Sequence, residues 1–307
     1  MRFAVESWAP EYGSPLGAES LESSTAKVDP EVELPAGQWQ PLSVEGLPHA
    51  EVVLFVDGVR RIDAQVWITS SDGLAQPGIA ASYAAGVVRC DGVAQVVACQ
   101  VRRQVFSAAP DLAAITTRHG TYEPCRADGD APEQLSGQLQ AQMGALEAQV
   151  AGGCAGADLV VVDGPLNKVA ALDCAIGYVK THHRQYLPPA LAAVVGQLQP
   201  GERTPLFSAT TGPGHSRLSW YARLPGGAGH PWAGIIRGEV RGDVVLGEAR
   251  RLADLATATL PRYASTAHKD TRAPQNLHPI AGLERTLRRH LGDATLLYRA
   301  LSSAAAA

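Results

Sequence analysis

The sequence predicts a mixed α/β fold, in which a mixed β-sheet is flanked by helices and preceded by an extended N-terminal arm. Three observations predict it. The runs VVLFV and LVVV, each followed by Asp-Gly, are continuous apolar stretches of the kind found in strands buried on both faces. Between them, Leu135, Leu139, Met143, Leu146 and Val150 recur at helical spacing. A second stripe, Leu283, Leu287, Leu291, Leu297 and Leu301, marks a helical segment near the C-terminus.

Composition narrows the class. At 307 residues and 46% hydrophobic, the chain can bury a substantial core. No run approaches the roughly 18 apolar residues that a membrane-spanning helix needs, so no membrane association is expected. The opening MRFAVESWAPEYG lacks the basic start and apolar run of a signal peptide, and a cytoplasmic location is expected. Cys90, Cys99, Cys125, Cys154 and Cys174 are odd in number, widely spaced and outside any CxxC, which argues against a disulfide framework or a structural zinc site.

The net charge is −4, but it is unevenly spread. Residues 1–51 carry nine carboxylates (Glu6, Glu11, Glu19, Glu22, Asp29, Glu31, Glu33, Glu45 and Glu51) against Arg2 and Lys27. Between Arg250 and Arg299 the cations outnumber the carboxylates. A basic half suits a phosphate backbone, and an acidic half is left free for protein contacts.

Element by element, residues 1–48 are rich in Pro, Gly, Ser and Glu and read as the arm, with one domain over 49–307. Residues 52–56 form the first buried strand, which Asp57-Gly58 ends as a turn, and 62–69 alternate as its antiparallel neighbour. Residues 80–90 and 92–101 read as two more strands around Asp91-Gly92. A helix over 132–151 starts with Pro132 in its first turn. A Gly-rich break leads into the strand 159–162, followed by Asp163-Gly164, then a loop and short helix over 165–180. A helix near 188–200, strands within 205–240, and helices over 243–258 and 281–300 complete the reading.

The chemistry sits at the two Asp-Gly strand ends, VVLFVDG and DLVVVDG, about a hundred residues apart. Each places a carboxylate at the carboxyl end of an apolar strand, where open α/β sheets expose a ligand crevice. Were the strands neighbours, Asp57 and Asp163 would converge, and a hard divalent cation such as Mg²⁺ or Mn²⁺ would relieve their repulsion. Such an ion activates water and steadies the leaving oxygen of a phosphodiester. Glu147, beside Met143 and Val150 on the helical stripe, is the candidate third carboxylate. Glu133 is its rival, although a first-turn acid also simply suits a helix N-terminus. Lys180 opens a cationic cluster, Lys180, His182, His183 and Arg184, that could neutralise phosphoryl charge. The stretch YASTAHKDTRAPQNLHPI gathers His268, Lys269, Arg272, Asn276 and His278 in a loop before a helix.

On these motifs the chain resembles the NurA nuclease family in a bacterial form. The resemblance rests on WAPEYG, FVDG, VVVDGPL, GYVK, RLSWYARL with WAGIIRGEV, and HKDTRAPQNLHPIAGLERTLRRHLGD, in the family's order across nearly the whole chain. It implies a ribonuclease-H-like core and a DNA nuclease, endonucleolytic and 5′–3′ exonucleolytic. It also implies Mn²⁺ as the cofactor, with Mg²⁺ weaker. Single- and double-stranded DNA would be substrates, and a homodimer would dock on a HerA-type hexameric ATPase to resect double-strand breaks. By position it implies Asp57, Glu147 and Asp163 as metal ligands, with Lys180 and His268 as further catalytic residues. HPIAGLE places Glu284 where the family carries a histidine, which leaves His268, His278 and Glu284 as alternatives. Two other readings stand beside the nuclease: a non-catalytic DNA-binding or adaptor subunit, and a ribonuclease, because fold alone does not fix substrate.

Overall fold

A computed structural model describes residues 22–24, 26–71, 73–166, 172, 174–182, 184–212, 216–227 and 232–306. The WAPEYG motif, His183 and residues 167–171 lie outside these. Along the chain run β1 (Glu22–Ser23), β2 (Lys27–Asp29), β3 (Leu42–Ser43), β4 (Val53–Thr69), β5 (Ala75–Cys90), β6 (Ala94–Ser107), β7 (Ile115–Thr117) and β8 (Gly120–Arg126). Helix α1 (Pro132–Gly152) precedes β9 (Leu159–Asp163), β10 (Ala175–Val179) and β11 (Arg184–Gln185). Helix α2 (Pro189–Gln197) precedes β12 (Glu202–Arg203), β13 (Phe207–Thr210), β14 (Ser216–Arg223) and β15 (Ile235–Arg241). Three helices follow: α3 (Leu246–Thr259), α4 (His278–His290) and α5 (Ala294–Ala305).

The chain divides into two compact units. The first takes the residues up to Phe55, Arg89–Ala94 and Gly156–Ala281; the second takes Val56–Val88, Gln95–Ala155 and the residues from Gly282 onward. Each is a mixed α/β unit. Among the described residues no helix is long and apolar enough to cross a membrane. All five cysteines are free thiols, as their spacing predicts.

In the first unit the strand order is β2-β13-β14-β15-β10-β9, and β9 neighbours the opening residues of β4. β9 and β10 are parallel; β10, β15, β14, β13 and β2 are antiparallel in succession. Register sorts the side chains by face, since directly paired residues point the same way. Phe207 pairs with Ser219, and Tyr221 with Arg237, so Phe207, Ser219, Tyr221, Ile235, Arg237 and Glu239 share one face. Its apolar part packs with Leu191, Val194 and Val195 of α2 and with Trp39. The other face carries Leu218, Trp220, Ile236 and Val240, and α3 contacts these strands. Gly238 belongs to it as well: a Cβ there would run into the Trp220 ring, so glycine lets the indole lie flat on the sheet.

The N-terminal arm is tied into this unit. Val28 pairs with Ala209 at the sheet edge. Arg203, buried, donates to both carboxylate oxygens of Glu33 at 2.8 and 3.0 Å and to Asp254 at 2.6 Å. Leu206 N–H adds a 2.7 Å bond to Glu33. The acidic arm read as free for outside partners is therefore corrected at Glu33, whose charge is used internally because Arg203 needs a buried counter-ion.

The second unit has the order β4-β5-β6-β8-β7, with β6 and β8 parallel. Ala80, Val105, Tyr122 and Leu301 form one buried cluster. A Cβ at Gly86 of β5 would press on Leu283 and Leu287 of α4, which shows how closely that helix lies on the strand. Asp63, although buried, is fully served: Arg61 Nε, Ser82 Oγ and Tyr122 OH all donate to it.

Several elements depart from the expectation. Asp57-Gly58 is no turn: β4 runs unbroken through it for 17 residues, because the continuous buried run before it and the alternating stretch after it outweigh local turn chemistry. GYV is the end of a strand, β10, and not part of a helix. The last stripe is split into α4 and α5 at Gly292, whose φ of 83° breaks the helix. β7 and β8 carry weak alternation and are absent from the sequence reading.

Candidate active site

Asp163 is the last residue of β9, reached through the buried run Leu159–Val162. It pairs across the parallel ladder with Tyr178 of β10, and Tyr178 pairs with Gly238, so Asp163 belongs to the α3 face of the first unit. Lys180 follows β10 directly. Its Nζ donates to Asp163 Oδ2 at 2.8 Å and to Asn276 Oδ1 at 3.1 Å. Asn276, fully buried, donates from Nδ2 to Asp270 Oδ2 at 2.7 Å, and Asp270 Oδ1 accepts Arg272 N–H at 2.8 Å. Four side chains thus form one polar chain, Asp163–Lys180–Asn276–Asp270. The segment that supplies the last two is pinned by Tyr178, whose hydroxyl donates to the Gln275 carbonyl at 2.6 Å. Burial, with the Asp163 charge beside it, holds that hydroxyl's pKa well above 10. It remains a neutral donor throughout the physiological range.

One atom in this group is left over. Asp163 Oδ1 is buried and has no hydrogen-bond partner. A buried carboxylate oxygen without a donor is costly, and a cation satisfies it. Carboxylate oxygen is the donor that hard divalent ions take, so the residue fits such an ion. Among the described residues, no group of three or more His, Cys, Asp or Glu side chains gathers as a metal-binding set.

The second unit holds the other two expected ligands. Asp57 is buried within β4, and its Oδ1 accepts the Gly58 N–H at 2.8 Å. Glu147 of α1, half-buried, lies over Gly58: a Cβ added there would collide with Glu147 Oε1 and come within 3.0 Å of Met143 Cγ. The close approach of helix to strand at a glycine brings the Glu147 carboxyl onto the residue that follows Asp57. Glu133, by contrast, is exposed in the first turn of α1.

The remaining candidates scatter. His268 is exposed on the turn before the pinned segment, and His278 is exposed at the start of α4. Glu284 pairs with Arg288 one turn on, at 2.8 Å. His182 is a core residue: buried, with Nε2 3.1 Å from the Ile235 carbonyl and its ring packed on Tyr221 and Trp232. Sequence reading named Asn276 without a partner and missed Asp270. It also missed Arg237 and Glu239, buried in β15. The signal for the latter pair is plain in IIRGEVR, where two charges two apart interrupt an apolar strand on one face.

No protein-family model matches this chain, and no curated protein matches it. Among solved structures it is similar to the crystal structure of the NurA nuclease from Sulfolobus solfataricus. The two share 12% identity over 82% of this chain and 84% of that chain, with a TM-score of 0.45.

Proposed function

We propose that the chain is a metal-dependent DNA nuclease with a ribonuclease-H-like core. The observation that carries this reading is the buried, unpartnered Oδ1 of Asp163 beside a lysine that holds the same carboxylate by its other oxygen. Asp163, Asp57 and Glu147 would hold the ion, each assigned by its own chemistry and by the motifs of the sequence. A divalent cation bound by carboxylates supplies Lewis-acid polarisation of a phosphodiester and lowers the pKa of an attacking water. Lys180 fixes the rotamer of Asp163 and brings a positive charge to where phosphoryl charge develops. Asn276 and Asp270 orient Lys180. His268, exposed nearby in sequence, is a candidate proton carrier. Mn²⁺ suits an irregular carboxylate site better than Mg²⁺, which demands near-ideal octahedral geometry. The motifs further suggest endonucleolytic and 5′–3′ exonucleolytic cutting by a homodimer on a HerA-type hexamer at broken DNA ends.

The test uses labelled linear and circular DNA, and RNA of the same sequence, with Mn²⁺, Mg²⁺ or chelator. Cleavage of DNA is expected with Mn²⁺, more slowly with Mg²⁺ and not in chelator, and Asp163→Ala and Asp57→Ala should each abolish it. DNA bound but never cut makes the chain an adaptor, and cleavage of RNA alone makes it a ribonuclease. Near wild-type cutting by either variant removes the metal assignment.

A further inference from the structure

The α2 face of the first unit's sheet, opposite Asp163, holds a cavity of about 180 Å³ lined by Pro165, Tyr186, Arg217, Ser219, Arg237 and Glu239, among others. Its electrostatics are unfinished. Arg237 is only 9% exposed, and its guanidinium stacks 4.4 Å above the Tyr186 ring. It reaches Glu239 Oε2 through Nη2 at 3.3 Å, long for a charge-assisted bond, while its buried Nε has no acceptor. Glu239 is spoken for elsewhere, since its Oε1 takes the Leu166 N–H at 2.7 Å. Arg217 Nε stands 4.0 Å from that same oxygen, and its Nη1 donates to the Ser216 carbonyl. Two guanidinium groups and one shared carboxylate leave the cavity with a net positive charge. The Tyr186 and Tyr221 hydroxyls also bond the Arg237 side chain, so its Nε is the group left without an acceptor. A buried guanidinium N–H without one is an unfavourable arrangement unless something completes it.

We propose that this cavity binds a phosphoryl oxyanion. A tetrahedral oxyanion carries several acceptors, enough for the free Nε of Arg237 and for the Arg217 fork, the pairing that guanidinium groups favour. Size decides what kind of molecule enters. At roughly 30 Å³ per water the cavity has room for about six waters, ample for a phosphate but below the 300 Å³ or so at which whole-ligand pockets begin. The ligand is therefore inorganic phosphate or the terminal phosphate of a larger molecule such as a DNA end, with the rest outside. Occupancy also bears on Asp163. Glu239 anchors Leu166, three residues beyond it, so an anion that takes Arg237 and Arg217 changes how Glu239 holds that turn.

Calorimetric titrations in chelator test this independently of metal and of cleavage, so the nuclease reading can fail without affecting the outcome. The titrants are inorganic phosphate, a short oligonucleotide with a 5′-phosphate, the same oligonucleotide with a 5′-hydroxyl, and chloride at matched ionic strength. Phosphate is expected to saturate the wild-type protein, chloride not. Loss of one charged hydrogen-bonding group should weaken binding by about tenfold in Arg217→Gln. Arg237→Gln should do the same; if that buried change prevents folding, the more exposed Arg217 decides alone. Tighter binding of the 5′-phosphate oligonucleotide than of its 5′-hydroxyl twin identifies a nucleic-acid end as the ligand, and equal binding of the two identifies the free ion. Absence of saturable phosphate binding, or unchanged affinity in Arg217→Gln, overturns the proposal.

Discussion

At the scale of single residues, the buried charges are paired unevenly, and that unevenness separates structure from chemistry. Glu33 is the structural case. Burial alone would raise its pKa, but the Arg203 hydrogen bonds and charge, the Leu206 N–H and Arg250 outweigh this and leave the carboxyl below its ordinary 4.5. A carboxyl whose folded pKa is depressed contributes stability above its unfolded value, and that stability is lost as pH falls through the folded value. Removing one partner of a buried pair strands the other, so Glu33→Ala should cost about 3 kcal/mol at neutral pH. The difference in melting temperature between wild type and variant should be full at neutral pH and shrink below 4.5, as calorimetry across that range would show. A constant difference would mean that the arm is held by packing alone. Asp163 is the opposite case, a carboxylate with one oxygen satisfied and one not. Asp163 and Lys180 were legible in the sequence because each abuts an apolar strand. Asp270 was not, because its role depends on Asn276 reaching Lys180 across about a hundred residues.

At the scale of elements, the meeting of β4 and α1 is the most informative contact in the second unit. The helix was readable from its stripe, and Leu135, Leu139, Met143, Leu146 and Val150 are all buried. The strand was readable as apolar but not in its length, since Asp-Gly is a turn pair in most settings and nothing local announces that tertiary pairing overrides it. Gly58 sits in extended backbone that any residue can adopt, as its φ is not positive. Gly58→Ala therefore probes the close approach rather than backbone strain. The new methyl should push the Glu147 carboxyl aside, lowering Mn²⁺-dependent cleavage at least about tenfold, the usual scale for displaced groups around a metal. The melting temperature should barely move, because Glu147 is a flexible side chain that can swing clear. Full cleavage in this variant, with the fold intact by circular dichroism, would remove Glu147 from the ligand set.

At the scale of the whole molecule, the proposed assembly, a homodimer on a hexameric motor, rests on the family resemblance of the motifs together with the charge asymmetry of the sequence. Light scattering of the purified chain, alone and mixed with a HerA-type hexamer, should give twice the chain mass and then a larger complex. A monomer that ignores the hexamer and cuts no faster beside it would refute that assembly. The chain path has a consequence of a different kind. The first unit is assembled from three separate stretches, the last reaching Ala281, and two of the second unit's three stretches fall between them in sequence. On a ribosome, Asp163 is made 113 residues before Asn276. At roughly 5–20 residues per second that is a delay of about 6–23 s. Throughout it the nascent chain displays its carboxylate and Lys180 without the Asp270–Asn276 segment that holds them in place. The polar chain around Asp163 is thus among the last features of the first unit to close, and a protein interrupted before that point is released with that chain of side chains unassembled.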